Sequence, residues 1–442
     1  MRPFGPVGFA LVLILTTPVW ALPPMASPRP EMRPTQAQAP SQDQSMAVER
    51  SIRPVPRIDP ARAAATPADT QGDFTEWRAG FRARALAEGI RPETFERAFA
   101  GVQANTRILQ RDSNQAEFSR MLWEYLDGAV SDARVSNGRA ALARHGDVLA
   151  RIERHYGVEA EVVVAVWGLE TAYGAMRGST DTIGAMATLA FEGRRRDFFE
   201  AELIAALRIL QAGDVGARQM VGSWAGAMGH TQFMPTSYLA LAVDFDGDGR
   251  RDIWSDNPVD ALASTANYLR HHGWTTGQPW GLEVVLPPGF DYGLTGSATK
   301  RGAAFWARQG VRPADGGPLP DHGQASILVP AGHRGVALMI FDNFRVIARY
   351  NPATSYVIGV GHLSDRIAGG GPFRAAWPRG DRGLSRAERE ELQRGLAARG
   401  LHAGAIDGIL GPQTSEAVRR FQASVGLVPD GYASPSLLER LR

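Results

Sequence analysis

One apolar segment with a single carboxylate at its end restricts this chain more than any other feature. Residues 162–169 read V-V-V-A-V-W-G-L, without a polar side chain, and Glu170 follows directly. Such a run predicts a buried element of the core, so the carboxylate at its end lies deep in the fold. Burial favours the neutral carboxyl group and raises its pKa, which suits a general acid near neutral pH. A buried carboxyl that only bonds a turn fits this stretch equally well.

The composition is that of a globular protein large enough for more than one domain. The chain has 442 residues, of which 44% are hydrophobic and 21% are charged. Its net charge is +2 and its arginines are scattered without a basic run, so we expect no nucleic-acid partner. The absence of cysteine excludes disulfides, thiolate catalysis, cysteine-ligated zinc and a lipid attached to an N-terminal cysteine.

The first residues predict export. Met1 and Arg2 precede an apolar run over residues 9–20 that closes at Ala21, which is the pattern of a secretory signal. The run is shorter than the roughly 20 apolar residues of a transmembrane helix, and no later segment qualifies. We therefore expect a signal peptide over residues 1–21 and a soluble exported product. Residues 22–72, rich in Pro, Ala, Gln and Ser, predict a disordered tether.

The rest of the chain predicts a mainly α fold with a small inserted sheet. Apolar residues recur at helical spacing over 73–89, 140–156, 160–173, 198–210, 236–242 and 258–271. Short β-rich runs bounded by Gly and Pro lie between residues 281 and 341, and helical patterns resume over 343–350 and 353–367. Residues 369–383 predict a linker, and residues 384–442 contain three more helical patterns. We expect Trp77, Trp123 and Trp306 in the core.

A second motif carries the polar groups that an uncharged sugar requires. Residues 222–238 read G-S-W-A-G-A-M-G-H-T-Q-F-M-P-T-S-Y, where Ser223 and Gln232 lie among small, aromatic and methionine residues. Small residues permit close approach of the backbone to a ligand, and hydroxyl, amide and ring groups together suit a sugar. A tight loop that packs helices is the alternative interpretation.

A third motif, D-F-D-G-D-G, has the spacing of a calcium-binding loop. Asp244, Asp246 and Asp248 occupy positions 1, 3 and 5 of an EF-hand pattern, with Gly249 at the turn. Arg250 follows at position 7, which contributes a backbone carbonyl in such loops. Position 12 holds Ser255 instead of the usual glutamate. A solvated acidic turn without an ion is the alternative.

These three motifs, in this order, resemble those of the lytic murein transglycosylase B family, membrane-bound and soluble, over residues 73–367. The resemblance implies a lysozyme-like catalytic domain over residues 73–368 of a periplasmic enzyme that cuts peptidoglycan glycan strands. It implies peptidoglycan as the partner, with other cell-wall enzymes as further candidates. We expect a monomer.

The resemblance also assigns roles to individual residues. Glu170 matches the family's one catalytic acid and base, and Asp260 matches an aspartate that closes a structural calcium loop. No organic cofactor is implied. His230 and Thr231 depart from the residues that are usual in the family, which bears on fine substrate preference. The positions that match glycan or muropeptide contacts are Ser223, Gln232, Tyr268, Arg194, Arg195, Tyr350, Asn351 and Tyr356.

The tail resembles a small three-helix peptidoglycan-binding domain. Residues 407–431 contain two D-G turns, a G-P helix start and an F-Q pair, within the pattern D-G-x-x-G-P-x-T. A generic helical bundle is the alternative. We expect this domain to span residues 384–442.

A lone catalytic glutamate restricts the implied reaction. Hydrolases that retain or invert configuration use two carboxylates, whereas substrate-assisted enzymes use the acetamido group of the substrate. The resemblance implies cleavage of the β-1,4 bond between N-acetylmuramic acid and N-acetylglucosamine, with a 1,6-anhydromuramic product. A goose-type hydrolase that admits water and a catalytically silent wall-binding scaffold remain open alternatives.

Overall fold

The computed structural model describes residues 67–114, 120–192, 195–402 and 404–442, all within one compact unit. The predicted signal peptide and the predicted tether up to residue 66 lie outside the described residues. The first helix begins at Pro67, inside the stretch that the sequence assigns to the tether. None of the described helices is both long and apolar enough to cross a membrane.

The chain before residue 281 is mainly helical, which confirms the mainly α prediction for this part, and two long loops connect α9 to α10 and α10 to α11. Two short strands, β1 (Thr180–Asp181) and β2 (Val221–Gly222), pair antiparallel among them. The helices are α1 (Pro67–Ala87), α2 (Pro92–Ala98), α3 (Thr106–Asn114), α4 (Leu122–Ala129), α5 (Asp132–Arg144), α6 (Gly146–Tyr156), α7 (Ala160–Thr171), α8 (Thr182–Phe191), α9 (Arg196–Ala212), α10 (Pro235–Leu241) and α11 (Val259–His271).

One predicted helix is divided in two. The sequence suggests a single helix over residues 140–156, but α5 ends before His145 and α6 begins after it. His145 has φ of −107° and ψ of 19°, which is outside the helical region, and its backbone N–H still bonds the carbonyl of Ala141. The break lets α6 change direction, and α6 and α7 both contact α11.

The inserted sheet lies where the sequence predicts it. Its strands run antiparallel in the order β4-β3-β6-β5. A short helix, α12 (Ala303–Arg308), packs its Trp306 into the core beneath the sheet, and Trp306 is fully buried. The strands are β3 (Gly281–Val285), β4 (Arg312–Pro313), β5 (Ser326–Leu328) and β6 (Ala337–Ile340).

Two helices after the sheet complete the catalytic region. They are α13 (Asp342–Tyr350) and α14 (Thr354–Ile367). α14 packs along α7, α5 and α4, so helices enclose the apolar run over residues 162–169. Residues 163–166 of α7 have no solvent exposure, as the run predicts. The packing of α14 on α7 brings the end of α7 to the start of α14.

The C-terminal residues form three helices around their own core, α15 (Arg386–Ala398), α16 (Pro412–Ser424) and α17 (Pro435–Leu441). Asp430 of this part accepts a hydrogen bond from the backbone N–H of His333, beside the sheet, at 2.9 Å. Its carboxylate also meets the His333 ring at 2.6 Å. Residues 369–383, predicted as a linker, are held by paired Arg379–Asp127 bonds of 2.7 and 2.8 Å. The domain boundaries themselves stay predictions.

Candidate active site

Glu170 lies at the end of a helix whose termination is unusual. Ala172 and Tyr173 have φ of 50° and 60°, and non-glycine residues seldom adopt this left-handed region. Thr171 secures the turn, because its hydroxyl donates to the carbonyl of His230 at 2.6 Å and accepts from the N–H of Gly174 at 3.0 Å. The left-handed residues stop α7 abruptly and leave Glu170 in its last turn.

Among the described residues, the carboxyl of Glu170 has one hydrogen-bond partner. The hydroxyl of Tyr356, on α14, donates to Glu170 Oε1 at 2.6 Å. Glu170 is half-buried, and desolvation of its carboxyl by the surrounding apolar side chains raises its pKa from 4.5 to about 7, although the hydrogen bond from Tyr356 acts in the opposite direction. Burial and the nearby Glu170 raise the pKa of Tyr356 well above its usual range. Tyr356 therefore remains a proton donor in this bond at neutral pH.

Aromatic side chains form one wall beside this pair. The ring centroids of Tyr268, on α11, and Tyr350, on α13, are 4.9 Å apart, and both rings contact Phe233. The hydroxyl of Tyr350 donates to the carbonyl of Thr231 at 2.6 Å, and that of Tyr268 donates to the carbonyl of Arg349 at 2.7 Å. Burial and the nearby Glu170 raise the pKa of Tyr350. The structure thus brings Tyr268, Tyr350 and Tyr356 together at Glu170.

The loop over residues 222–234 is ordered by its own polar side chains. Ser223 Oγ accepts the N–H groups of Ala225 and Ala227 at 3.3 and 3.0 Å, so its hydroxyl proton is available to a ligand. Gln232 has φ of 54°, and its Nε2 donates to the carbonyls of Arg177 and Gly229 at 3.1 and 2.9 Å. The side-chain carbonyl oxygen of Gln232 has no protein partner among the described residues, so it can accept a hydrogen bond from a sugar hydroxyl.

His230, which departs from the family pattern, supports the end of α7. The indole of Trp167 donates to His230 Nδ1 at 3.1 Å, and His230 Nε2 lies 2.8 Å from the carbonyl of Ser255. These partners assign the proton to Nε2, because Nδ1 must accept from the indole. Burial lowers the pKa of His230, so the ring is neutral at pH 7.

Sequence reasoning missed Arg177. It donates to the carbonyls of Trp254 and Ser255 and pairs with Asp256 at 2.7 Å. Through these bonds it joins the segment after Glu170 to the end of the acidic loop. No motif signals this role, because Trp254, Ser255 and Asp256 lie 77 to 79 residues further along the chain.

Two further predicted contact positions, Arg195 and Asn351, contact residues outside the Glu170 cluster. Arg194 lies outside the described residues. Arg195 is 4.2 Å above the ring of Phe198, measured from its guanidinium carbon to the ring centroid. Asn351 is exposed, and its side-chain oxygen accepts from the N–H of Ala353 at 3.0 Å. Their predicted contacts with substrate stay predictions.

The acidic loop has a built arrangement of carboxylates. One oxygen from each of Asp244, Asp246 and Asp248 lies within 4.8 Å of the others, and all three residues are exposed. The Asp244 carboxylate accepts the N–H groups of Gly247, Asp248 and Gly249, which folds the loop around it. Oxygen ligands gathered in this way fit the coordination that Ca²⁺ prefers.

Asp260 bonds the backbone of the acidic loop, and its role as a calcium ligand stays a prediction. It is outside the group of three carboxylates, and it is buried. Its carboxylate accepts the N–H groups of Phe245 at 2.8 Å, Asp246 at 3.4 Å and Asp252 at 2.9 Å. Asp260 therefore holds both ends of the acidic loop onto α11, and the carbonyl of Arg250 stays a predicted ligand.

Comparisons with known proteins agree with this geometry. Residues 73–365 match the family described as "Transglycosylase SLT domain", and residues 385–441 match "Putative peptidoglycan binding domain". The membrane-bound lytic murein transglycosylase B of Escherichia coli is 37% identical over 242 residues, which are 54% of this chain. The aligned stretch spans 65% of that relative, which is less than two thirds of its length.

Solved structures extend the similarity to most of the chain. SltB3 from Pseudomonas aeruginosa, in complex with NAG-anhNAM-pentapeptide, is 52% identical with a TM-score of 0.81. The match covers 84% of this chain and 99% of SltB3. The Escherichia coli lytic transglycosylase Slt35, in complex with calcium, is 29% identical with a TM-score of 0.58, covering 71% and 98% of the two chains.

The raised pKa of Glu170 predicts a stability that depends on pH. A carboxyl with a higher pKa when folded binds more protons in the folded state, so stability falls as pH rises from about 4.5 to about 7. The difference between these pKa values corresponds to about 3 kcal/mol. Glu170→Gln, which cannot ionise, should gain stability over the unmodified protein at pH 8 and lose that gain at pH 5. Urea denaturation at both pH values measures this.

Glu161→Gln is the matched control, because Glu161 lies on the same helix but in its first turn. It should show no gain in stability as pH rises. Equal free-energy differences for Glu170→Gln at pH 5 and pH 8 would contradict the burial of an ionising carboxyl.

Proposed function

The chain belongs to the Transglycosylase SLT domain family, and from that premise we propose that it is a lytic transglycosylase of peptidoglycan. The bond that it cleaves would be the β-1,4 linkage between N-acetylmuramic acid and N-acetylglucosamine. One observation carries the proposal, which is the carboxyl of Glu170, with its pKa raised by burial to about 7 and bonded to Tyr356. A carboxyl in this state can give a proton near neutral pH and take one back.

The proton of Glu170 starts the proposed reaction. Glu170 gives it to the glycosidic oxygen, and the bond from that oxygen to C1 of the muramic residue breaks. The muramic acetamido group can stabilise the positive charge that develops at C1. The Glu170 carboxylate then takes the proton of the muramic C6 hydroxyl while that oxygen bonds to C1. The products are a 1,6-anhydromuramic end and a free N-acetylglucosamine hydroxyl, and Glu170 is protonated again.

The surroundings of Glu170 favour ring closure over hydrolysis. Burial and the Tyr356 bond are the two causes that act on the pKa of Glu170, and no second carboxylate among the described residues contributes. A water molecule therefore has no further base to activate it. An internal hydroxyl in a suitable orientation has an effective molarity of about 10⁵ M or more, far above that of water.

Product analysis separates the proposal from hydrolysis. Digestion of purified sacculi should release muropeptides with anhydro ends that borohydride does not reduce, and mass spectrometry measures this. Glu170→Gln should lower the rate by about 100-fold to 10,000-fold, because the amide cannot cycle a proton. Reducible muramic ends as the main product would transfer the assignment to a goose-type hydrolase. Equal rates for both proteins would contradict the role of Glu170, and no release of muropeptides by the unmodified protein would leave the silent scaffold.

The Tyr356 bond predicts a shift of the pH–rate profile. The activity that depends on protonated Glu170 should fall as pH rises above about 7. Tyr356→Phe removes a donor to the carboxylate, so the pKa of Glu170 rises further and the alkaline limb moves to higher pH.

Tyr268→Phe is the control, because its hydroxyl bonds the carbonyl of Arg349 and not Glu170. Tyr268→Phe should change KM without moving the alkaline limb of the pH profile of kcat. An unchanged limb in Tyr356→Phe would contradict the role of the bond.

We also propose that the acidic loop holds a structural Ca²⁺ through Asp244, Asp246 and Asp248. Bound calcium would neutralise the repulsion among these carboxylates and pin the loop. The calcium complex of Slt35 supports this assignment. Calcium should raise the melting temperature by mass action, and Asp246→Ala with Asp248→Ala should remove that increase.

Asp321→Ala is the control for this test, because Asp321 is an exposed aspartate that bonds a loop N–H, that of Gly323, outside the acidic loop. It should retain the calcium effect. Identical melting curves of the unmodified protein in calcium and in chelator would identify an acidic turn without an ion.

The C-terminal helices suggest where the enzyme works. We propose that they bind the wall and that the protein acts in the periplasm, where peptidoglycan is found. The match of residues 385–441 to a peptidoglycan-binding domain supports this assignment.

A further inference from the structure

A short glycine-bounded turn follows the helix that carries Glu170. Residues 174–178 read G-A-M-R-G, and Arg177 has the only side chain in this turn that can donate hydrogen bonds. The two glycines, Gly174 and Gly178, have positive φ, at 87° and 84°. Glycine adopts such angles without strain but leaves no side chain to hold the turn in place. Arg177 is therefore the residue whose side chain can fix its position.

This turn packs closely against the loop over residues 222–234. A Cβ atom at Gly178 would lie 2.2 Å from the carbonyl oxygen of Gly222, inside that loop. A Cβ atom at Gly174 would lie 2.6 Å from Nδ1 of His230. Neither position has room for a side chain, so a displacement of the turn would also displace the loop that carries the predicted sugar contacts.

The side chain of Gln232 is oriented by the backbone of this turn. Gln232 Nε2 donates to the carbonyl of Arg177 at 3.1 Å and to that of Gly229 at 2.9 Å. These bonds assign the orientation of the amide, because its nitrogen must face the two carbonyls. They leave the side-chain oxygen for a sugar hydroxyl. Gln232 also has φ of 54°, a strained angle that persists where surrounding contacts enforce it.

The guanidinium of Arg177 ties the turn to the end of the acidic loop. Nη1 donates to the carbonyls of Trp254 at 3.1 Å and Ser255 at 2.6 Å, and Nη2 pairs with Asp256 at 2.7 Å. The arginine side chain is 29% exposed, so these bonds are partly shielded from water. A planar guanidinium reaches several acceptors at once, and a lysine ammonium reproduces this arrangement poorly.

The segment that accepts these bonds is itself held in place. Asp252 Oδ1 accepts the N–H groups of Trp254 and Ser255 at 2.9 and 3.0 Å. The N–H of Asp252 donates to the buried Asp260 at 2.9 Å. The carbonyls of residues 254 and 255 are therefore fixed acceptors, and Arg177 holds the turn against them.

We propose that Arg177 is a positioning residue for sugar binding, because its guanidinium fixes the turn whose backbone carbonyl orients the amide of Gln232. The inference rests on the proposed function, since it concerns the substrate contact of Gln232. Arg177 itself touches no substrate and acts on binding, not on proton transfer by Glu170. Its charge is not among the causes that shift the pKa of Glu170.

The test measures binding separately from cleavage. Glu170→Gln, which cannot complete the reaction, is the background, and isothermal titration calorimetry gives its Kd for purified glycan strands. The variants added to this full-length background are Arg177→Gln, Arg177→Lys and Gln232→Ala. Arg208→Gln is the matched control, because Arg208 also donates to a backbone carbonyl, that of Glu88, and pairs with the Glu88 carboxylate at 2.8 Å.

Arg177→Gln should raise Kd by up to about tenfold, which is the usual effect of losing one hydrogen bond between neutral groups. Arg177→Lys should raise Kd by a smaller factor, since the ammonium retains some of the bonds. Gln232→Ala should raise Kd about as much as Arg177→Gln. The combination of these two should cause no further rise, because both remove the same contact with the sugar. Arg208→Gln should leave Kd unchanged.

Kinetics with Glu170 intact supply a second measurement. Arg177→Lys should raise KM on purified strands and leave kcat unchanged, as expected for a contact made equally in the ground state and the transition state. The alkaline limb of the pH profile of kcat should stay in place, because the proton transfer of Glu170 is not affected.

The contrary outcomes are distinct. Additive rises of Kd in the combined variant would show that Arg177 does not act through Gln232, and they would overturn the proposal. An unchanged Kd in both Arg177 variants, or a displaced alkaline limb in Arg177→Lys, would also overturn it. If Arg177→Gln does not fold, Arg177→Lys alone and combined with Gln232→Ala decides by the same criteria. If the unmodified protein binds strands but cleaves none, the proposed function fails, and the Kd comparison still decides the role of Arg177.

Discussion

The desolvation of one half-buried carboxyl group at the end of α7 is the constraint on which the rest of this structure depends. α14 packs along α7 and places the Tyr356 hydroxyl 2.6 Å from Glu170. Burial alone would disfavour the charged form throughout the reaction, and the tyrosine bond stabilises it in part. The pair therefore lets one group act first as an acid and then as a base. Above pH 7 the carboxyl ionises in apolar surroundings, which lowers the free energy of unfolding.

Hydrogen-bonded side chains beneath this pair fix the geometry of the helix end. Trp167, Thr171 and His230 are hydrogen-bonded beneath the end of α7, and His230 is neutral because burial lowers its pKa. A charged imidazolium near the carboxyl would lower the pKa of Glu170 and weaken the acid. The left-handed backbone at Ala172 and Tyr173 persists because these contacts enforce it.

The C-terminal helices contact the inserted sheet through a few polar groups. The Asp430 carboxylate bonds the backbone N–H and the ring of His333. Arg379, in the segment over residues 369–383, bonds Asp127. The exposed Arg379–Asp127 ion pair contributes little stability. The Asp430 carboxylate is buried, so losing its hydrogen-bond donors would be costly. These contacts fix the orientation of the C-terminal helices relative to the sheet.

Much of the fold and part of the site follow from the sequence alone, because they depend on residues close together in the chain. The apolar run before Glu170 predicts a buried helix end, and the spacing of Asp244, Asp246 and Asp248 predicts their cluster. Only the tertiary structure decides the partner of Glu170, which lies 186 residues away, and the hydrogen bonds by which Asp260 anchors the acidic loop. Local patterns report periodicity and turn chemistry, whereas burial, pKa and cavities arise where distant segments pack against each other.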